Sequence, residues 1–282
     1  MGKCKIFTNS VSDITPELAR EFGITVVPDV VIFGNKEYET TTDIDPPKLY
    51  RLLRQVDYLP TTSHPNQYIY STCFETASDY EEILCVNVSS RMSGSMGTAT
   101  LTANAMAEEG FKTKIYTYDS LQASFGIAYQ AIQAAILAKQ GASAPEIIAQ
   151  LDLIRDRVGV YFCMSSLENA KKGGRIGEIK CLAADLMGIR PVLTFKEGTV
   201  KELNLTRGFD RALNRVARYY EERAKKGGGL VFVCHADNEP EALRMRDRIL
   251  KLDPEAQVRV EWIGVAIGVY TGEGAIGIIF EE

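Results

Sequence analysis

Histidine is scarce in this chain, with two in 282 residues beside a single tryptophan. Closely spaced cysteines are missing as well. Cys4, Cys73, Cys85, Cys163, Cys181 and Cys234 lie far apart with no C-x-x-C pair, so a zinc centre lacks its usual ligand set. Four of them, Cys4, Cys85, Cys163 and Cys234, fall in apolar, β-prone runs where a thiol packs as a small hydrophobe. The expectation is reduced core cysteines in a cytoplasmic protein. Clustered basic charge is lacking too: 32 Lys and Arg stand against 37 Asp and Glu, a net charge of -5 with a pI near 5.4. That balance argues against phosphate-backbone binding, and nucleic acid is not an expected partner. The most apolar tract, Trp262 to Phe280, is broken by Glu273 and several glycines and falls short of the roughly 20 uncharged residues that span a bilayer. It reads as buried strands and turns, and no stable membrane insertion is expected. The opening Met1-Gly2-Lys3-Cys4-Lys5-Ile6 has no apolar h-region, and position 6 lacks the Ser or Thr of a myristoylation signal, so nothing in it points away from the cytoplasm.

What the chain does have is apolar substance, 45% of its residues, enough for a large core. At about 150 residues per domain the length favours two domains, with a single long barrel as the alternative. Short apolar runs alternate with amphipathic helices through the first half, the pattern of an α/β parallel sheet. Strands are expected at Cys4 to Thr8, Ile24 to Phe33, Lys36 to Thr40, Glu82 to Val88 and Lys114 to Tyr118. Asp13 or Thr15 can cap a helix opening at Pro16, and Asp45 one opening at Pro46; capping is also the better account of Asp43 and Asp45 than a metal or acid-base pair. Helices follow from about Ser95 to Glu109, Gln122 to Gln140 and Pro145 to Arg157. A boundary near residue 160 separates an N-terminal lobe, 1–160, from a C-terminal lobe, 161–282. In the second lobe two strands turning at Glu197-Gly198 break the alternation, and the expected sheet is mixed. Helices are expected there around Leu167 to Lys172, Ile176 to Met187, Phe209 to Lys225 and Pro240 to Leu252.

Four segments could carry chemistry. In Ser89-Ser90-Arg91-Met92-Ser93-Gly94-Ser95 a strand gives way to a helix start, where unpaired N–H groups and the helix dipole favour an anion and Ser93 and Ser95 add neutral donors. The plainer reading is that Ser93 caps the helix. It is not G-x-G-x-x-G, so a dinucleotide gains little support. Pro60-Thr61-Thr62-Ser63-His64-Pro65 is a hydroxyl-rich loop before a helix that Ser63 can cap, although such stretches are common in ordinary connections. Lys171-Lys172-Gly173-Gly174-Arg175 reads as a basic helix end with a glycine stop, which leaves Arg175 unexplained. Gly268-Val269-Tyr270-Thr271-Gly272-Glu273-Gly274 is a glycine-rich turn bringing donors and backbone amides together.

In this order the segments resemble the DegV family. Thr8-Asn9-Ser10-Val11-Ser12-Asp13 is similar to its T-D-S-x-x-D start, Thr61-Thr62-Ser63-His64-Pro65 to T-T-S-Q-P, and Ser89 to Gly94 to S-S-x-L-S-G. Lys172-Gly173-Gly174-Arg175-Ile176 is similar to K-G-G-R-I, and Arg190-Pro191-Val192-Leu193 to K-P-I-L. The resemblance implies a two-lobed, non-enzymatic lipid carrier without a cofactor. Such a carrier holds a long-chain fatty acid between its lobes and presents the carboxylate to a separate fatty acid kinase, feeding phospholipid synthesis. By position it implies carboxylate contacts at Thr62, Ser63, Ser93, Gly94, Ser95, Tyr270 and Thr271, and partner docking at Arg175. The chain departs from the family at H-T-G-P-G, which is Tyr270-Thr271-Gly272-Glu273-Gly274 here, and at Asn9, where an Asp is usual. A tyrosine hydroxyl donates but stays neutral near pH 7, whereas a histidine can charge. The rival reading is a serine hydrolase of small esters. It would use Ser95, one residue short of G-x-S-x-G, with His235 as base and Asp119 or Asp185 to orient it.

Overall fold

The computed structural model describes residues 3–175, 179 and 188–282; the helix expected over Ile176 to Met187, with Cys181 and Asp185, lies outside the described residues. The chain divides into two compact units, 1–44 with 62–156, and 45–61 with 157–282.

In chain order the first unit holds β1 (Cys4–Asn9), α1 (Pro16–Phe22), β2 (Thr25–Val27), β3 (Val30–Phe33) and β4 (Lys36–Glu39). The helix α2 (Pro46–Leu53) belongs to the second unit although it is encoded within the first half. The first unit resumes with β5 (Thr61–Ser63), α3 (Gln67–Glu75), β6 (Glu82–Asn87), α4 (Ser95–Glu108), β7 (Lys114–Asp119), α5 (Phe125–Lys139) and α6 (Ala144–Arg155). Its main sheet is parallel throughout, in the order β2-β1-β6-β7, and β4-β3-β5 form a small second sheet. The apolar run expected as one strand from Ile24 to Phe33 is therefore two strands in different sheets. The chain breaks at Pro28, which has no N–H for a ladder, and Asp29 turns away to bond Ser10. Thr15, not Asp13, caps α1 by accepting from the Leu18 N–H, and Asp45 caps α2 by accepting from the Lys48 N–H at 2.7 Å. Phe74 meets Phe7 edge-on at 5.4 Å and Tyr70 at 5.6 Å in the core of this unit. Each such buried side chain contributes about 1.5–3 kcal/mol.

The second unit continues with β8 (Val158–Cys163), α7 (Glu168–Lys172), β9 (Ile189–Lys196), β10 (Thr199–Arg207), α8 (Phe209–Arg223), β11 (Leu230–His235), α9 (Glu239–Leu252), β12 (Gln257–Trp262), α10 (Val265–Thr271) and β13 (Ile276–Glu281). The sheet order is β10-β9-β8-β13-β11-β12, antiparallel except for the β11–β12 pair, so it is mixed. Tyr161 stacks on Tyr219 at 4.5 Å and on Phe280 at 5.5 Å at the centre of its core. One expectation is corrected here. Trp262 to Phe280 is not strands and turns alone: Val265–Thr271 is a helix, closed by Gly272 with φ 64°. The apolar, small residues of that stretch let it lie close to α2, and a Cβ at Gly268 would meet Leu49 Cδ2 at 2.6 Å.

Cys4, Cys73, Cys85, Cys163 and Cys234 are free thiols, and burial pushes Cys4, Cys85 and Cys163 up to about 12. Among the described residues no helix is long and apolar enough to cross a membrane.

Candidate functional site

All four strands of the first unit's parallel sheet end at one edge, and the strand order reverses between β1 and β6. Connections leave in opposite directions at such a point and open a crevice beyond the carboxyl ends of the strands, where α/β folds bind ligands. The residues there are polar and fully buried: Asn9 closes β1, Asn87 closes β6, Ser95 opens α4, and Tyr70 reaches in from α3. Asn9 Nδ2 donates to Ser95 Oγ at 3.0 Å, the Tyr70 hydroxyl donates to Asn87 Oδ1 at 3.0 Å, and Tyr70 and Ser95 share a 2.6 Å hydrogen bond. With the Tyr70 proton on Asn87, the Ser95 proton points to Tyr70. Burial drives the Tyr70 hydroxyl well above its ordinary range and keeps it protonated. The amide at Asn9 matters, because a carboxylate in its place could not donate to Ser95.

Above this buried layer lies a more accessible one. Ser93 is half-buried and Gly94 exposed. Ser93 does not occupy the N-cap of α4; Gly94 does, and Ser93 Oγ accepts the Ser95 N–H at 3.2 Å from one residue further out. The helix start thus has amide hydrogens, a neutral hydroxyl beside them and no cap side chain in the way. Thr62 and Ser63 lie in β5 rather than in a loop, and the cap of α3 is Asn66, whose Oδ1 accepts the Ile69 N–H at 2.9 Å; Ser63 is not the cap. Pro65 accounts for the difference, since the residue before a proline is held extended. His64, at the end of this strand, stacks beside Gly94 and places Nε2 3.1 Å from Thr98 Oγ1.

The third and fourth segments meet in the second unit. The Tyr270 ring of α10 lies against Gly173, where a Cβ would collide with it, and the Arg175 guanidinium sits 5.4 Å above the ring centroid. Arg175 is exposed, and its Nη1 donates to the Gly173 carbonyl at 2.7 Å. Thr271 Oγ1 donates back to the Ile267 carbonyl at 3.3 Å, and Asn169 Nδ2 donates to the Val269 carbonyl at 3.2 Å. Glu273, the residue that replaces a proline of the family pattern, holds Arg54 at the end of α2 through bonds of 2.7 and 3.1 Å, and Arg54 also pairs with Asp237. The paired glycines therefore serve ring packing as well as helix termination.

Reasoning from sequence missed Tyr70, Asn87 and a further buried group, Asp29. Ser10 Oγ donates to Asp29 Oδ2 at 2.7 Å, Thr40 Oγ1 donates to Ser10 Oγ at 2.7 Å, and burial pushes the Asp29 carboxyl up to about 7 despite these donors. No local pattern marks such residues, because what makes them notable is their depth. The hydrolase reading finds no support. Ser95 Oγ is engaged by Asn9 and Tyr70, neither of them a base. His235 is buried, its ring lies 4.5 Å from that of Trp262 and its Nδ1 faces the Asn238 N–H at 3.3 Å; burial holds its basicity below the ordinary histidine range.

Comparison with known proteins agrees with the motif order. The model of the uncharacterised protein family DegV matches residues 3–282. A DegV domain-containing protein of Halalkalibacterium halodurans is 30% identical over 281 residues, covering 99% of this chain and 98% of its own. The solved structure of a DegV family protein from Thermus thermophilus, described for its fatty acid binding, superposes with a TM-score of 0.90 at 25% identity over 99% of this chain and 100% of that one. The Streptococcus pneumoniae fatty acid kinase B3 protein, loaded with linoleic acid, shares the fold with a TM-score of 0.87 at 21% identity over 99% of each chain. This chain, by its matched length and by its motifs, belongs to the DegV family.

Proposed function

We propose that the chain binds one long-chain fatty acid and presents its carboxylate to a separate fatty acid kinase for acyl phosphate formation. The observation that carries this reading is the layer of neutral donors at the start of α4, set at the switch point of a parallel sheet and backed by the buried Asn9, Tyr70, Asn87 and Ser95 network. Neutral hydroxyls and helix amides hold a carboxylate without a fixed cation that would compete with a transferred phosphoryl group. Thr62, Ser63, Ser93 and Gly94 are assigned to that carboxylate. Ser95, its hydroxyl committed inward, contributes by holding the helix start in place. Tyr270 and Thr271 are assigned to the same head group by the motif order. Arg175, exposed and held over the Tyr270 ring, suits contact with the kinase. The fatty acid binding of the Thermus thermophilus relative supports the ligand, and the fold shared with the fatty acid kinase B3 protein supports the partner.

Mass spectrometry of organic extracts from the purified protein is expected to find about one equivalent of fatty acid, since each buried methylene is worth about 0.8 kcal/mol. No lipid in the extract together with no binding of added fatty acid would overturn the reading. Ser93→Ala and Thr62→Ala should each weaken binding by about 1.5–3 kcal/mol if they bond the carboxylate. Arg175→Ala should bind as the parent does and give less acyl phosphate with the kinase; equal turnover would remove Arg175 from the docking surface.

A further inference from the structure

In the second unit, α8 carries Arg211, Arg215, Arg218 and Arg223, and α9 carries Arg244, Arg246 and Arg248. Four of them are ion-paired: Arg215 with Glu222 at 2.9 Å, Arg223 with Glu282 at 3.7 Å, Arg244 with Glu241 and Arg246 with Asp247 at 2.7 Å. The other three, Arg211, Arg218 and Arg248, are exposed and have no ion pair or hydrogen bond among the described residues. All three line one cavity of about 500 Å³, together with Arg215, Asn204 and Asn214, and no Asp or Glu lines it. The neighbouring groove, which shares Asn214 and Arg248, is where Asp210, Glu241 and Asp247 stand, so acids and unpaired arginines are sorted into different places. Arg215 is held firmly. Its Nε donates to Asn204 Oδ1 at 3.0 Å, its guanidinium lies 4.3 Å from the centre of the Tyr219 ring, and the Tyr219 hydroxyl donates to the same Asn204 oxygen. With Oδ1 accepting twice, Asn204 keeps its Nδ2 hydrogens to donate, and no described residue accepts them. This arrangement costs stability: Arg211, Arg215 and Arg218 repel one another at helical spacings of four and three, and Arg211 sits in the first turn of α8, at the positive end of the helix dipole.

We propose that the cavity between β10, α8 and α9 binds a small molecule bearing linked phosphate groups, gripped by Arg211, Arg218 and Arg248 and oriented by Arg215 and Asn204. Guanidinium forks match phosphate oxygens two at a time, and three unpaired forks around one cavity call for several negative charges close together. A carboxylate brings one charge, whereas linked phosphates bring about one to two each. The volume suits a small molecule, since ligand cavities run from about 300 to 1,000 Å³. A bilayer surface fits less well, because the wall is concave and Leu205 is the one exposed large apolar side chain in it. The chain as a whole, with its net charge of -5, repels anions, so this attraction is local to the cavity. The site belongs to the second unit alone and does not depend on fatty-acid binding.

The test is titration calorimetry of the full chain with inorganic tripolyphosphate and, separately, with adenosine triphosphate, both free of magnesium, at about 50 and about 200 mM salt. Saturable binding that weakens as salt rises is expected. Arg211→Gln, Arg218→Gln and Arg248→Gln should each weaken it about fivefold or more, every variant being checked for a cooperative thermal transition. Arg244→Gln, whose parent side chain is paired with Glu241 in the neighbouring groove, should bind as the parent does. Equal affinity for the two probes would support recognition of the phosphate chain alone, and tighter binding of the nucleotide would support a nucleotide as the ligand. No saturable binding of either probe at the lower salt, or a loss in Arg244→Gln as large as in Arg248→Gln, would overturn the proposal. So would binding to phosphatidylglycerol vesicles that the three variants abolish and neither probe competes away, which would make the patch a membrane contact.

Discussion

The two units arrive at polar sites by opposite routes. In the first, a parallel sheet sends every strand end to one edge, so Asn9, Asn87 and the start of α4 converge because of topology, and the chemistry is built on backbone ends and short hydroxyl side chains. In the second, a mostly antiparallel sheet shares its strand ends between both edges. Its functional candidates sit off the sheet, where α10 packs against the Gly173 turn and aromatic stacking replaces the hydrogen-bond network. Both units bury acids, Asp13 and Asp29 in the first and Asp253 in the second, and the second also buries His235; burial moves the proton affinities of Asp29 and His235 in opposite directions. Parallel topology collects polar groups without help from side-chain packing, whereas the antiparallel unit needs glycines at the points of closest approach.

The largest effect that can break this comparison is on the cores. Phe74→Ala and Phe280→Ala should each cost about 3–5 kcal/mol. The single tryptophan, Trp262, lies in the second unit, so its fluorescence follows that unit while far-ultraviolet dichroism follows both. Phe280→Ala should move the fluorescence midpoint in denaturant, and Phe74→Ala should bring dichroism loss forward ahead of it. Equal shifts of both signals in both variants would show the two cores melting as one.

Next in size is a pair of opposed pH dependences. Asp29 keeps its proton up to about pH 7 in the folded chain, whereas an unfolded Asp releases it near pH 4, so between these values rising pH favours unfolding. Over that window stability should fall by on the order of 4 kcal/mol and then level off, and Asp29→Asn should remove the slope. His235 acts the other way. Burial lowers its affinity for a proton, so the unfolded chain binds more protons below the ordinary histidine range, and stability present above about pH 6.5 is lost as pH falls. His235→Gln should flatten that acid-side loss. Thermal midpoints of parent and variants from pH 4.5 to 8 test both, and slopes of the same sign at the two positions would dissolve the contrast.

The smallest effect separates anchoring from ligand contact. Ser95→Ala removes the acceptor of Asn9 Nδ2 and one of the two hydrogen bonds of the Tyr70 hydroxyl, and should lower stability by about 1–3 kcal/mol. Tyr270→Phe keeps the ring that lies on Gly173 and under Arg175, so that packing should persist in the variant. If Tyr270 donates to the carboxylate, the same change weakens fatty-acid binding by about 1–3 kcal/mol. Unchanged affinity would confine Tyr270 to packing, and unchanged stability in Ser95→Ala would mean that the buried network holds nothing together.

Much of the fold was legible because local signals mark it. Thr15-Pro16 and Asp45-Pro46 opened helices where expected, the helix expected from Pro145 starts at Ala144 behind a Ser143–Glu146 capping box that the sequence reading did not name, and Gly34-Asn35 turned β3 into β4. Ser63 was misread because a hydroxyl near a helix start resembles a cap until the extending effect of Pro65 is weighed, and α10 because its glycines hid a short helix that packing stabilises. The motifs Thr61 to Pro65, Ser89 to Gly94 and Lys172 to Arg175 marked candidate segments, yet not their neighbours.

What this sequence determined alone is the alternation of strands and helices and the identity of the polar segments, since period, caps and turns act over a few residues and need no partner. Only the tertiary structure decided that Ile24 to Phe33 is shared between two sheets, that residues 45–61 join the second unit, that Asn9, Tyr70, Asn87 and Ser95 form one network, and that Tyr270 rests on Gly173. Those outcomes depend on contacts between residues tens to more than a hundred positions apart. Their free energy comes from burial and hydrogen-bond satisfaction in the assembled core, which no short stretch of chain carries by itself.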